Sequence, residues 1–222
     1  MVTCFATYKH SALLMLPLLI AGFASYLIGS IPAGYIAGRI VGIDIRTVGS
    51  GNIGATNVTR VLGKRYGYPV FIVDFLKGFA AVGMSIMIAK RAQPALVSSE
   101  LFGVVGAVAC VLGHSFPVWL GFKGGKGVAA SAGALLGLMP FVALIAVAVW
   151  LIIFYLTRYV SVASMTAALA VPITILSMMF LGQTGGTALL YFSICLAAVV
   201  IVRHRSNLSR LMRGTEPRFK RK

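Results

Sequence analysis

Val-Ala-Ala-Ser-Ala-Gly-Ala-Leu-Leu-Gly-Leu-Met-Pro-Phe-Val-Ala-Leu-Ile-Ala-Val-Ala-Val-Trp-Leu-Ile-Ile-Phe-Tyr-Leu, residues 128–156, decides the fold. An α-helix crosses a bilayer in about 20 apolar residues, so this run is too long for one ordinary span. Pro140 cannot sit comfortably inside a helix and divides the run into two. Each crossing changes the side of the membrane, so the division fixes where every later loop lies. Read as one span, the run leaves Arg158 outside and carries the basic tail to the wrong side. Read as two, it puts both on the inner face.

Working outward, the other apolar segments are Leu13 to about Ile36, Pro69–Ala89, Leu101–Leu112, Val160–Leu181 and Thr187–Val202. Lys90-Arg91-Ala92-Gln93-Pro94 closes the second, and Gly182-Gln183-Thr184-Gly185-Gly186 forms a turn before the last. The small-residue pair Gly34 and Gly38 suits close helix contact. Composition agrees: 59% of residues are hydrophobic and 11% charged, against about a quarter charged in soluble domains. The fold class is an all-α polytopic membrane protein of about seven helices. Residues 1–14 read as an N-terminal extension, with Met15 an alternative start, 15–205 as one membrane domain, and 206–222 as a basic tail.

Lysine and arginine number 20 against 4 acidic residues, a net charge of +16. In this setting the excess marks cytoplasmic loops beside anionic lipid, not a nucleic-acid surface. With seven helices, 17 of the 20 basic residues fall on one side, leaving Lys9, Lys90 and Arg91 opposite. That places the N-terminus outside and the C-terminus in the cytoplasm. The polar stretches Gly49–Arg60, His114–Gly127, Arg158–Ser164 and Arg203–Glu216 then share the cytoplasmic face. Cys4, Cys110 and Cys195 are scattered, without CxxC or Cys/His spacing, and read as small apolar residues.

The first polar stretch, Gly49-Ser50-Gly51-Asn52-Ile53-Gly54, matches GxGxxG, with Asp74 twenty residues after Gly54. The dinucleotide fingerprint needs a preceding strand and a βαβ unit, and here apolar helices flank it. What remains is an anion-binding turn before a helix start: Gly49, Gly51, Asn52 and Asn57 are candidate substrate contacts, and Arg60, about three turns on, can reach back toward the same site. In the second stretch Lys126 stands among Gly121, Gly124, Gly125 and Gly127, a set suited to cradling a phosphate. Lys126 is followed by Gly127 and not Ser/Thr, so the loop is no Walker A and calls for no nucleoside triphosphate.

Asp74 and Lys77, one turn apart in an apolar span, read as a structural ion pair. His114, before Phe116-Pro117, reads as a residue that orients its loop. Ser161 and Ser164 open a helix and stand equally as caps or as phosphate donors. In the tail, His204, Asn207 and Glu216 exceed what lipid attraction alone requires.

Gly29-Ser30-Ile31-Pro32 with Gly49–Arg60, then Gly113–Ala129, then Arg203–Glu216 together resemble the PlsY family of bacterial acyl-phosphate:glycerol-3-phosphate acyltransferases. The resemblance covers nearly the whole chain in order. It implies a seven-helix inner-membrane enzyme that moves a fatty acyl group from acyl phosphate to the sn-1 hydroxyl of glycerol 3-phosphate. Lysophosphatidic acid and phosphate result, in the first step of phospholipid synthesis.

Ser50 and Arg60 then belong to the family's first motif. Lys126 and its glycines form the glycerol 3-phosphate loop. His204 and Asn207 act in the site, and Glu216 is more structural. No metal or cofactor is implied, and a peripheral PlsX-like acyl-phosphate synthase is the implied partner. One position departs from the family pattern: Ala130 stands where threonine is common, with Ser131 beside it.

The chemistry agrees with the resemblance. An acyl phosphate is already activated, so the protein must chiefly hold two anions together with their charges countered. The His-x₄-Asp dyad of other acyltransferases is absent, since Met15, Trp119 and Ser209 lie five residues after the three histidines. A small anion or phosphate-ester transporter is the alternative class. Against it, the polar groups gather on one face and no ionisable path crosses the midplane. A CDP-alcohol phosphotransferase needs an aspartate cluster, which the dispersed Asp44, Asp74, Glu100 and Glu216 do not make.

Overall fold

A computed structural model describes residues 2–92, 98–183 and 187–219, with side chains described from Met15 onward. Among these residues every regular element is helical. The longer ones are α1 (Val2–Ser30), α4 (Lys64–Arg91), α5 (Ser99–Ser115), α7 (Pro140–Thr157), α8 (Val160–Phe180) and α9 (Thr187–Arg203). Shorter α2 (Ala33–Ile40), α3 (Ala55–Leu62), α6 (Val128–Leu138) and α10 (Arg205–Met212) carry the loops at one end.

Pro140 does break the long apolar run, standing at the first turn of α7, where its missing N–H costs nothing. The two halves are unequal. At 11 residues α6 is about 16 Å long, about half the hydrocarbon thickness, so it is too short to cross alone. Five helices among the described residues are long and apolar enough to span, or six if α9 and α10, bent by 55°, count as one. Seven apolar helices are therefore present, and α6 (Val128–Leu138) and α9 (Thr187–Arg203) fall within about a residue of the segments read from the sequence.

Arg158, at a left-handed φ of 64°, ends α7 and reverses the chain into α8. Pro32 separates α1 from α2, and Met15–Ile40 across that break forms one candidate span. Residues 2–14, read above as an extension, continue α1 as helix. The closing Gln93–Pro94, part of the 182–186 turn and tail residues 220–222 lie outside the described residues.

Close approach of helix backbones is set by glycines in reciprocal pairs. A methyl group on Gly29 would collide with the Cys110 carbonyl, and one on Gly113 with the Tyr26 carbonyl, which welds α1 to α5. Gly78 and Gly133 meet Ala130 and Phe75 in the same way across α4 and α6. Gly34 packs instead against the Ile53 carbonyl, seating the first polar loop rather than a second helix. Behind these contacts a core of Val82, Ala107, Val111, Ala134, Val142, Val171 and Ile175 joins five of the helices.

Candidate active site

The first polar stretch is a turn held by Asn57. Its amide carbonyl accepts the Ser50 N–H at 2.8 Å, and its Nδ2 donates to the carbonyls of Val48 (3.1 Å) and Ile45 (3.3 Å). At 2% exposure Asn57 is the staple of the turn, which leaves Ser50 turned to the cavity. Gly49 and Gly51 take positive φ there, 62° and 68°. Asn52 accepts the Gly54 N–H at 2.8 Å, and Gly54 stands at the N-cap of α3, which carries Arg60.

The glycine-rich loop is organised differently from a phosphate cradle. The N–H of Gly124 donates to Ser115 O (3.1 Å) and that of Gly125 to His114 O (3.0 Å), so both amides are spent on the end of α5. Their carbonyls accept from Arg203, at 2.8–3.0 Å, whose guanidinium also lies over the Phe116 ring. His114 in turn sits 3.3 Å from Asp74 Oδ1, and Asp74 pairs with Lys77 at 2.7 Å, all three side chains 4% exposed. Lys77 also donates to Ile31 O at 3.0 Å. The loop is thus clamped between a buried ion pair and an arginine, and Lys126 is the side chain it presents.

Lys126 Nζ donates to Asn207 Oδ1. Asn207 Nδ2 donates to Glu216 Oε1 at 2.7 Å, Ser161 Oγ donates to the same oxygen at 2.8 Å, and Arg210 Nε meets Oε2 at 2.8 Å. Burial works against the Glu216 carboxylate, but these three donors outweigh it and hold its pKa below the usual value. Burial pushes Lys126 down to about 8; Glu216 opposes that fall, and Arg210, Arg60 and Arg203 add to it. His204 Nδ1 lies 2.7 Å from Val200 O. A carbonyl only accepts, so Nδ1 carries the proton and Nε2 presents a lone pair.

These groups surround a chamber of about 530 Å³ at one end of the bundle. It is lined by Ser50, Asn52, Asn57, Arg60, Lys126, Gly127, His204, Asn207, Ser161, Ser164 and Glu216, with Asp74 and His114 in its wall. Two further cavities adjoin it. One, of about 220 Å³, shares Ser50, Asn52 and Lys126 and adds Gly51, Arg203, Arg205 and Arg210. The other, of about 270 Å³, is almost wholly apolar and shares Phe71, Val128, Ala129, Trp150 and Ser164.

The residues singled out from sequence therefore divide. Ser50, Arg60, Lys126, His204 and Asn207 converge on one chamber. Gly49, Gly121, Gly124, Gly125 and Lys77 line none of the three cavities; Gly124, Gly125 and Lys77 support the wall from behind through Ser115, His114 and Asp74, while Gly121 is exposed. Ser161 caps nothing and is spent on Glu216, while Ser164 accepts from Trp150 Nε1 at 3.1 Å. Ser131, beside the departing Ala130, faces the apolar cavity, and its buried hydroxyl has no partner among the described residues. The sequence reading missed Trp150, Phe154 and Phe219, which also line the main chamber. Trp150 and Phe154, aromatics inside the apolar α7, offer no contrast by which to pick them out, and Phe219 lies in the basic tail beyond α10.

A methyl group on Gly124 would strike the His114 carbonyl and the Pro117 ring. Gly124→Ala is expected to cost about 1–3 kcal/mol of stability by overpacking and to lower kcat as the loop is unseated. Gly121→Ala, with open space around it despite its φ of 59°, is expected to cost only about 1 kcal/mol. Thermal melts and steady-state rates of the two variants check the contrast; a Gly124→Ala enzyme with wild-type Tm and only a raised KM would return the loop to direct phosphate binding.

The glycerol-3-phosphate acyltransferase family model matches residues 19–214. A glycerol-3-phosphate acyltransferase of Aquifex aeolicus is 46% identical over 202 residues, covering 88% of this chain and 95% of that one. One from Staphylococcus saprophyticus is 41% identical, with 88% and 95% covered. The crystal structure of PlsY, an integral membrane glycerol 3-phosphate acyltransferase, in its glycerol 3-phosphate form is similar with a TM-score of 0.80 at 43% identity, covering 91% of this chain and 96% of that one. Its lysophosphatidic acid form gives 0.77 at 42%, covering 91% and 95%.

Proposed function

The chain belongs to the glycerol-3-phosphate acyltransferase family, and from that premise we propose how its three connected cavities divide the reaction. The protein is an integral membrane acyltransferase that acylates glycerol 3-phosphate to lysophosphatidic acid. The donor is an acyl phosphate. Its chain lies in the apolar cavity, and its phosphate meets glycerol 3-phosphate in the polar chamber.

The observation that carries this reading is the junction formed by Phe71, Val128, Ala129, Trp150 and Ser164, which line both the apolar cavity and the polar one. An amphipath with a phosphate head fits that junction with its reactive carbonyl between the two. Val147 and Leu151, exposed on the outer wall of the apolar cavity, give the chain a side entrance from the bilayer.

In the polar chamber Arg60 and Lys126 counter the two phosphates. Such fixed charges act strongly where water is scarce, and the leaving phosphate needs little further activation. His204 Nε2 and Ser50 orient the attacking hydroxyl. Asn207 holds Lys126, and Glu216 holds Asn207. Because three donors occupy Glu216, the leaving phosphate carries off the hydroxyl proton. The basic excess at this end of the bundle supports its facing the cytoplasm of a bacterial inner membrane, with the N-terminus outside and a peripheral PlsX-like synthase supplying the donor.

One experiment tests donor and orientation together. Purified protein with labelled glycerol 3-phosphate and chelator is expected to form product from palmitoyl phosphate and none from palmitoyl-CoA. In sealed vesicles the impermeant acceptor should be consumed only where the C-terminus faces it. Product from the thioester would reject the donor assignment, and consumption from the opposite face would reverse the orientation.

A further inference from the structure

Arg60 stands near the end of α3 and forms no ion pair among the described residues. A long exposed cation of this kind samples many rotamers. Two contacts from the far end of the chain restrain it: Nη2 donates to Pro217 O at 3.1 Å, and the guanidinium carbon lies 5.0 Å from the centre of the Phe219 ring. Phe219 lies beyond residue 214, where the family match ends.

Phe219 is itself held. Its N–H donates to Arg158 O at 3.1 Å, at the left-handed corner between α7 and α8. Its ring meets Phe154 edge-on, at 5.8 Å and 73°, and Phe154 stacks on Trp150 at 4.9 Å. Trp150 is pinned by its hydrogen bond to Ser164, and Arg218 lies over Tyr159 at 4.9 Å. An aromatic row thus runs from the mouth of the apolar cavity to Arg60, and Trp150, Phe154, Phe219 and Arg60 all line the polar chamber.

We propose that Phe219 is a positioning residue for acyl transfer, acting through Arg60. The ring takes one face of the guanidinium and the Pro217 carbonyl takes one N–H, so the remaining edge donors stay free for phosphate. The arrangement holds a flexible cation in its working direction before substrate arrives, which is where restraint contributes to rate. The inference rests on the reading of Arg60 as a phosphate contact.

The test is a double-mutant cycle on kcat/KM with purified protein, at enzyme concentrations high enough to follow the slow variants. F219A is expected to lose about fivefold, the upper end for a cation–π contact at an exposed site, and F219L the same, since leucine keeps bulk without the π face. F219W and F219Y should stay within about twofold of wild type. On an R60A background, F219A should cost less than about twofold, because the residue it positions is gone. Equal losses in both backgrounds, recovery by F219L, or a wild-type rate for F219A would each overturn the proposal. Should R60A itself keep its rate, the reading of Arg60 fails first, and that result is separate from any effect of Phe219.

Discussion

Replacing Arg60 with alanine is expected to lower kcat/KM about a thousandfold while the protein stays inserted and folded. The reaction asks two phosphates to share one chamber, and a missing counter-charge leaves their repulsion uncompensated at the moment the acyl group moves. Losing a charge-assisted, forked contact to phosphate costs about 4 kcal/mol in the transition state, which corresponds to that factor.

Stability should barely move, because no carboxylate depends on Arg60. Glu216 is satisfied by Asn207, Ser161 and Arg210. Lysine is expected to recover little, since an ammonium lacks the planar fork that meets a phosphate edge and stacks on a ring. Steady-state rates alongside a thermal melt in detergent decide it. Near-normal turnover would demote Arg60 to a lipid contact.

Much of this architecture was legible because polar residues inside an apolar chain are costly and conspicuous. Arg60, Lys126, His204 and Asn207 stood out for that reason, Ser50 through the family resemblance, and they meet. The break at Pro140 was legible from proline's missing donor. The shortness of α6 was legible with it, since Pro140 marks where that helix ends.

The glycine loop shows a deeper limit. Sequence says that Gly124 and Gly125 permit close approach, but not what approaches. Here it is the end of α5 from one side and Arg203 from the other, so amides expected to face phosphate are already bonded. Phe219 was unreadable for a similar reason: its partner Arg60 lies 159 positions earlier, and no local pattern joins them.

Lys126→Met should cut kcat/KM about a thousandfold at pH 7 and also change the shape of the pH profile. Burial brings the Lys126 pKa down to about 8 in the free protein. Below that pH the ammonium is present and counters phosphate. As pH rises through about 8 it is lost, so wild-type kcat/KM should fall toward a tenfold decrease per unit. Bound phosphate favours the charged form, so the corresponding limb in kcat should lie at higher pH.

The stability sign is opposite to the catalytic one. Between about 8 and the ordinary lysine value of 10.5, the unfolded chain holds a proton that the folded chain has released. Stability therefore rises with pH across that window, and below it the buried charge is a net cost to folding. Methionine, similar in length and uncharged, removes that cost. Lys126→Met should consequently melt higher than wild type at pH 7 while turning over far more slowly, with no alkaline limb below pH 9. That pairing is expected of a group kept for substrate at the expense of the fold. A variant that melts lower and still shows the limb would assign the titration to another group and leave Lys126 a structural partner of Asn207.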